Sequence, residues 1–301
     1  MCGIIGILGK HEAAPILVEA LKRLEYRGYD SSGIATVKDD GSLDRRRAVG
    51  KLVELQDKLV FEPLKGKAGI GHTRWATHGE PNEKNAHPHT RGAVSVVHNG
   101  IIENFLTLRE ELKCEGYKAV TDTDSETIAI LCSKFIDEGD EPLVAARKTL
   151  LKLSGSFAIA MLFEGQKNLI FAARSGSPLA VGYGKNEIYL GSDALALLPL
   201  TKKVAYLEEG DHAVLTREGA EIYDIKGNSV SRQITYLNQS INFHDKSGFS
   251  HFMEKEIHEQ PIALERAISS YLSDSTGKPT FNLLKKINFT EVSRIILVAC
   301  G

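Results

Sequence analysis

Phe157-Ala-Ile-Ala-Met-Leu-Phe163 and Leu169-Ile-Phe-Ala-Ala-Arg174 are two short apolar runs split by Glu164-Gly-Gln-Lys-Asn168. The same pattern repeats over residues 179–182, 187–191, 204–207, 213–216 and 221–225, each run bounded by Gly, Asn or Asp. Short strands that follow one another directly pair antiparallel, because parallel neighbours need a long crossover. Working back from this series, residues 2–8 read as a buried strand and 13–24 as a helix, with Pro15 in its first turn and Gly28 as its stop. Residues 33–38 and 42–49 flank Asp39-Asp40-Gly41 and predict a hairpin. A helix over 51–61, a strand over 69–73, a polar loop over 74–91 and a strand over 93–98 follow. Residues 104–115, 124–137 and 141–153 carry helical periodicity, the second preceded by capping residues Thr121-Asp122-Thr123. The pattern predicts an α+β fold in which helices cover antiparallel sheets.

Past Gly227 the signal weakens, and residues 228–248 read as a connector. Residues 253–272 are helical, with Pro261 expected to begin or kink a helix. Arg294-Ile-Ile-Leu-Val-Ala-Cys-Gly301 resembles a parallel core strand with no sheet to join, so a second domain is expected to be cut short there.

The 301 residues are 42% hydrophobic and 25% charged, with a formal charge of −2. That balance favours neither nucleic acid nor an anionic membrane surface as a partner. Arg45-Arg46-Arg47 is the one basic cluster and reads as the solvated face of a strand or turn. The four cysteines, Cys2, Cys114, Cys132 and Cys300, form no close pair. No disulfide framework and a cytoplasmic location are expected, with Cys114 and Cys132 as packing residues. Lys10, His11 and Glu12 interrupt the N-terminal apolar run too early for a signal peptide, and no run has the length of a membrane span.

Cysteine at position 2 is a candidate nucleophile, although its position alone is weak evidence. Once Met1 is removed, its α-amine, which titrates near ~7.7–8.0, can serve as a general base for its own thiol, whose ordinary pKa is about 8.5. A thiolate attacking an amide generates an oxyanion, which needs fixed donors. Asn99-Gly100 offers an amide N–H and a backbone N–H, although Asn-Gly is also a common turn pair. Arg74, directly after a strand, suits a carboxylate or a surface salt bridge. Asp124, at a helix start, suits an ammonium or a plain cap. Five histidines fall between His72 and His98, but their spacing lacks the acidic third ligand of zinc hydrolases, so no metal is expected.

Cys2-Gly-Ile-Ile-Gly, the run from Arg23 to Gly33, Gly71-His-Thr-Arg-Trp-Ala-Thr-His-Gly79, Asn85-Ala-His-Pro-His89 and His98-Asn-Gly-Ile-Ile-Glu-Asn104 together resemble the class II glutamine amidotransferases. Thr123-Asp-Ser-Glu126, residues 174–179, 208–211 and 253–261 narrow the resemblance to the branch that aminates fructose 6-phosphate. It implies a four-layer αββα sandwich of the N-terminal-nucleophile type. It also implies a glutaminase domain over 2–240, a linker with a helix over 241–290, and the first strand of a truncated sugar-isomerase domain over 291–301. Cys2 is implied as nucleophile, Asn99 and Gly100 as the oxyanion hole, and Arg27 as an organiser of the nucleophile region. Arg74, Thr77 and His78 are implied around the glutamine carboxylate, Asp124 and the Gly100 carbonyl at its ammonium, and Trp75 as a gate on the ammonia path. The loop 74–79 is implied to close over glutamine. No cofactor is implied; fructose 6-phosphate is a partner of the intact enzyme only, which is implied to be a homodimer. Glutaminase domains serving other acceptors, or a fragment that binds glutamine without turnover, are the alternatives.

Overall fold

The computed structural model describes residues 2–237, 248–271 and 288–296. The chain divides into two units, 1–239 and 240–301.

The first unit is built from the uninterrupted apolar strand at its start. β1 (Gly3–Leu8) is buried throughout. Because side chains alternate along a strand, Ile4 and Leu8 enter one core while Ile5 and Ile7 enter another. Full burial of such side chains is worth about 1.5–3 kcal/mol each, so β1 is held from both faces. It pairs with β4 (Ala68–Arg74) on one side and β10 (Ile188–Gly191) on the other. The sheet extends through β2 (Ser31–Val37) to β3 (Leu43–Val49), and through β9 (Ala180–Tyr183) and β11 (Lys203–Tyr206) to β15 (Ile234–Tyr236). A second antiparallel sheet runs β14-β13-β12-β8-β7-β6-β5. Its strands are β5 (His89–Arg91), β6 (Val94–Ile102), β7 (Gly155–Phe163), β8 (Ile170–Ser175), β12 (His212–Thr216), β13 (Gly219–Tyr223) and β14 (Ser229–Val230).

Ile4, Val37 and Ile70 of the first sheet meet Val97, Leu162 and Ile170 of the second in the central core. α1 (Ala13–Lys22) and α2 (Leu52–Phe61) cover the outer face of the first sheet through Leu17, Leu21, Leu52 and Leu55. α4 (Ser125–Asp137) and α5 (Pro142–Lys152) cover the second through Ile128, Cys132 and Ala145, with α3 (Phe105–Cys114) alongside. The short α6 (Ala194–Leu197) completes the first helical layer. The result is an α+β four-layer αββα sandwich.

The hairpin at Asp39-Asp40-Gly41 forms as the sequence suggests, with Val37 opposite Leu43. Four readings need correcting. Asn99-Gly100 is not a turn: β6 runs on to Ile102, and Gly100 pairs with Phe157. Gly100 lies at φ +121°, and a Cβ there would stand 2.0 Å from the Ser156 carbonyl oxygen, so the strand continues only because the residue is glycine. Residues 228–237 are not plain connector, since β14 and β15 extend the two sheets at their edges. Arg45 and Arg47 do not face solvent freely; their guanidinium groups donate to the carbonyls of Pro88 and Ala86 and clasp the 84–88 segment. Cys132 is a packing residue, whereas Cys114 is exposed at the end of α3.

In the second unit, α7 (Phe252–Tyr271) continues through Pro261, giving up one main-chain hydrogen bond there. Residues 294–296 carry no regular structure, and 297–301, the rest of the expected final strand, lie outside the described residues. No described helix is long and apolar enough to cross a membrane.

Candidate active site

Gly3 of β1 stands opposite Thr73 of β4, so Cys2 falls beside the point where β4 ends and the 74–80 segment begins. The Trp75 amide N–H donates to Cys2 Sγ at 3.2 Å, and the thiol faces the Trp75 carbonyl at 3.4 Å. Burial pushes the Cys2 thiol pKa up, and the Trp75 amide only partly offsets it. The resting group is therefore a protonated thiol at neutral pH, and attack requires a base.

The second sheet brings the opposite wall. Asn99 on β6 donates from Nδ2 to the Cys2 carbonyl at 3.1 Å, and its Oδ1 lies 3.1 Å from His72 Nε2. Cys2, Arg74, Trp75, Thr77, His78, Gly100 and Asp124 all line one pocket of about 250 Å³, part of it open to solvent.

Arg74 is not a surface salt bridge. It is 3% exposed, and its guanidinium donates to the carbonyls of His78, Gly79 and Glu80, folding the 74–80 segment back over its own side chain. Asp30 holds the other end through the Ala76 N–H at 2.8 Å. Gly79 allows the bend: its φ is +77°, and a Cβ would press on Asn85 at 2.7 Å. Asn85 in turn bonds both Glu80 and Asp122, tying this segment to the approach to α4.

Asp124 sits at the start of α4 without capping it. Its Oδ2 accepts the Ile102 N–H at 2.8 Å, and the side chain is buried with His98 4.0 Å away. Buried Glu126 accepts the Val120 and Thr121 amides, and Arg109 donates to the Thr123 carbonyl, so the acidic wall is held from behind. Cationic Arg74 and anionic Asp124 at one pocket match the two ends of a zwitterionic amino acid.

Arg27 is not brought to the pocket wall. It forms a 2.6 Å ion pair with Asp193 and bonds the Tyr26 hydroxyl. Asp193 follows Ser192, whose hydroxyl accepts the Ile4 N–H, so Arg27 reaches β1 only at second hand. The Trp75 ring is 45% exposed and stands edge-on to Tyr29 at 5.5 Å.

His87, His98, Thr123 and Ser125 also line the pocket and were not foreseen from the sequence. Thr123 and Ser125 could have been found as the neighbours of Asp124; the histidines and the Trp75 amide could not, since only cross-sheet placement gives them a role. Among the described residues, no group of three His, Cys, Asp or Glu is arranged to hold a metal ion. Instead His72 stacks on His87 at 4.1 Å, and His87 meets His89 edge-on at 4.6 Å.

Residues 72–199 match the glutamine amidotransferase domain family. Over the whole chain, the sequence is 52% identical to a glutamine–fructose-6-phosphate aminotransferase (isomerizing) of Brucella suis and 51% identical to one of Zymomonas mobilis. The chain spans about half the length of these curated relatives, 49% in each case. Among solved structures, it resembles a glutamine phosphoribosylpyrophosphate amidotransferase from B. subtilis with a TM-score of 0.66 and 25% identity, over 76% of this chain and 50% of that one. The chain thus carries a glutamine amidotransferase domain and is a homologue, along its whole length, of the glutamine–fructose-6-phosphate aminotransferases.

Proposed function

We propose that Cys2, freed of Met1, hydrolyses the side-chain amide of glutamine. The observation that carries this reading is the convergence of the Cys2 thiol, a buried guanidinium (Arg74) and a buried carboxylate (Asp124) on one pocket. Arg74, with Thr77 and His78, binds the α-carboxylate, and Asp124 with the Gly100 carbonyl binds the α-ammonium. The amide carbon then faces Sγ.

The α-amine takes the thiol proton, directly or through a water, and Sγ bonds to the carbonyl carbon. The oxyanion is received by the Asn99 amide and the Gly100 N–H. On collapse the C–N bond breaks, the α-ammonium returns its proton, and ammonia leaves a glutamyl thioester. Water adds to that thioester and releases glutamate and the thiol. Closure of 74–79 over glutamine limits bulk water during the first half-reaction.

In a protein with the full length of the curated relatives, we assign the ammonia to fructose 6-phosphate, giving glucosamine 6-phosphate. Identity of about half the chain's residues to enzymes of that name supports this acceptor over phosphoribosyl pyrophosphate, whose enzyme is 25% identical. The exposed Trp75 ring is then the gate on the ammonia path, and Arg27 braces the nucleophile strand only indirectly, through Asp193, without touching the reacting atoms.

Met1-free protein should release glutamate and ammonia from glutamine in equal amounts, and a γ-diazoketone analogue of glutamine should alkylate Cys2. Retained turnover in Cys2→Ala, or alkylation at another residue, sinks the reading.

A further inference from the structure

We infer that His72 is a positioning residue that fixes which end of the Asn99 amide faces the reacting carbon. The inference rests on the reading of Asn99 as an oxyanion donor and adds what makes it one.

A side-chain amide has a donor end and an acceptor end of nearly equal shape, and rotation by half a turn exchanges them. Were Asn99 so turned, its oxygen would face the developing negative charge and repel it. Two contacts forbid this. His72 Nε2 lies 3.0 Å from the His98 carbonyl, which can only accept, so Nε2 carries the proton. The same N–H lies 3.1 Å from Asn99 Oδ1, and a donor there demands oxygen at that end of the amide. On the other side the Cys2 carbonyl, again an acceptor, demands the NH2 group and lies 3.1 Å from Nδ2. One Nδ2 hydrogen is thereby used, and the second is left for the oxyanion.

His72 suits this task because its own state is fixed. It is fully buried, and burial holds its pKa down to about 3, so it remains a neutral donor throughout the working range. Stacking on His87 at 4.1 Å sets the ring plane, and the backbone of 87 is pressed against Gly33, where a Cβ would stand 2.2 Å from the His87 carbonyl oxygen. The link also crosses the sandwich: His72 belongs to β4 of one sheet and Asn99 to β6 of the other, so the oxyanion donor is aligned to the strand that is paired with β1.

The test uses Met1-free protein carrying His72→Leu, which removes the N–H, and His72→Gln, which supplies an amide N–H at similar reach. His72→Leu should lower kcat by about 10²-fold, comparable to losing one oxyanion donor, with KM for glutamine little changed. Glutamate γ-semialdehyde, whose hemithioacetal oxygen occupies the oxyanion site, should lose affinity by the same factor. Alkylation of the Cys2 peptide by iodoacetamide, which forms no oxyanion, should keep its rate. His72→Gln should recover most of kcat. In an Asn99→Ala background, His72→Leu should cost nothing further, because its whole effect passes through Asn99. If the leucine variant does not fold, His72→Met serves, being apolar and without the N–H.

Full kcat in the folded apolar variant overturns the inference. So does a loss that is additive with Asn99→Ala, or one matched by slower iodoacetamide alkylation, since either marks general damage to the pocket. The underlying glutaminase reading fails separately, through turnover in Cys2→Ala.

Discussion

The inner wall of the pocket and its mouth are built on opposite plans. At the wall His87 and His98, and behind it His72 and His89, are buried and held neutral by burial, and rings and hydrogen bonds lock them to both sheets. At the mouth Trp75 is half exposed against half-exposed Tyr29, while Arg27 and Asp193 form an ion pair outside the pocket lining. Fixed neutral dipoles in a dry wall need no reorganisation when charge develops, which is what a chemical step rewards. Exposed aromatics beside the site suit access rather than chemistry. Changes to the wall should therefore move kcat, and changes to the mouth should barely touch glutamine hydrolysis.

The largest effect expected is at the reacting sulfur. Cys2→Ala should cost ~10⁴-fold or more in kcat, as losing a nucleophile does elsewhere. Asn99→Ala comes next, with ~10²–10³-fold lost in kcat and little change in KM; a pure KM effect would move Asn99 from the chemistry to binding. Arg74→Lys keeps the charge but loses the fork that holds 78–80, and kcat/KM for glutamine should fall about 10–100-fold, mainly through KM. The buried histidines give a pH signature in stability. Their folded pKa values lie below the unfolded value of about 6.5, so the unfolded chain binds more protons in acid. Stability is complete above ~6.5 and falls as pH drops toward the folded value of about 3 for His72, on the order of 1 kcal/mol per unit for each histidine. Urea melts across that range test it, and a flat profile would contradict a neutral wall. The smallest effect belongs to the mouth: Arg27→Ala should destabilise by about 1 kcal/mol and leave glutaminase kcat within a few-fold. A hundredfold loss there would erase the distinction between wall and mouth.

Periodicity in the sequence was enough to foresee the strands of both sheets that bury apolar faces, and the hairpin at Gly41, because burial and turn chemistry are local signals. It was not enough for β5, β14 and β15, which are short edge strands whose residues carry little apolar pattern. Asn99-Gly100 shows the limit more sharply. The pair has turn chemistry, yet β7 lies alongside it and the +121° φ of Gly100 is taken up inside a strand. Cys2, Arg74, Trp75, Thr77, His78, Gly100 and Asp124 could be singled out in advance and do meet in one pocket. Arg27 and Asn99 do not line it; Asn99 reaches it only through the carbonyl of Cys2. His72 gave no sign of its contact with Asn99, since that contact joins different sheets and depends on which ring nitrogen holds the proton. The Trp75 amide could not be found from side-chain chemistry at all.

The mechanism depends on Cys2, once Met1 is removed, supplying both sulfur and base. Rapid acid quench of Met1-free protein mixed with glutamine, followed by mass spectrometry of the N-terminal peptide, tests it most directly. A glutamyl group is expected on Cys2, with no such adduct on protein that retains Met1, whose Cys2 nitrogen is acylated and cannot take a proton. An adduct on another residue, or undiminished turnover by the Met1-retaining form, would contradict it.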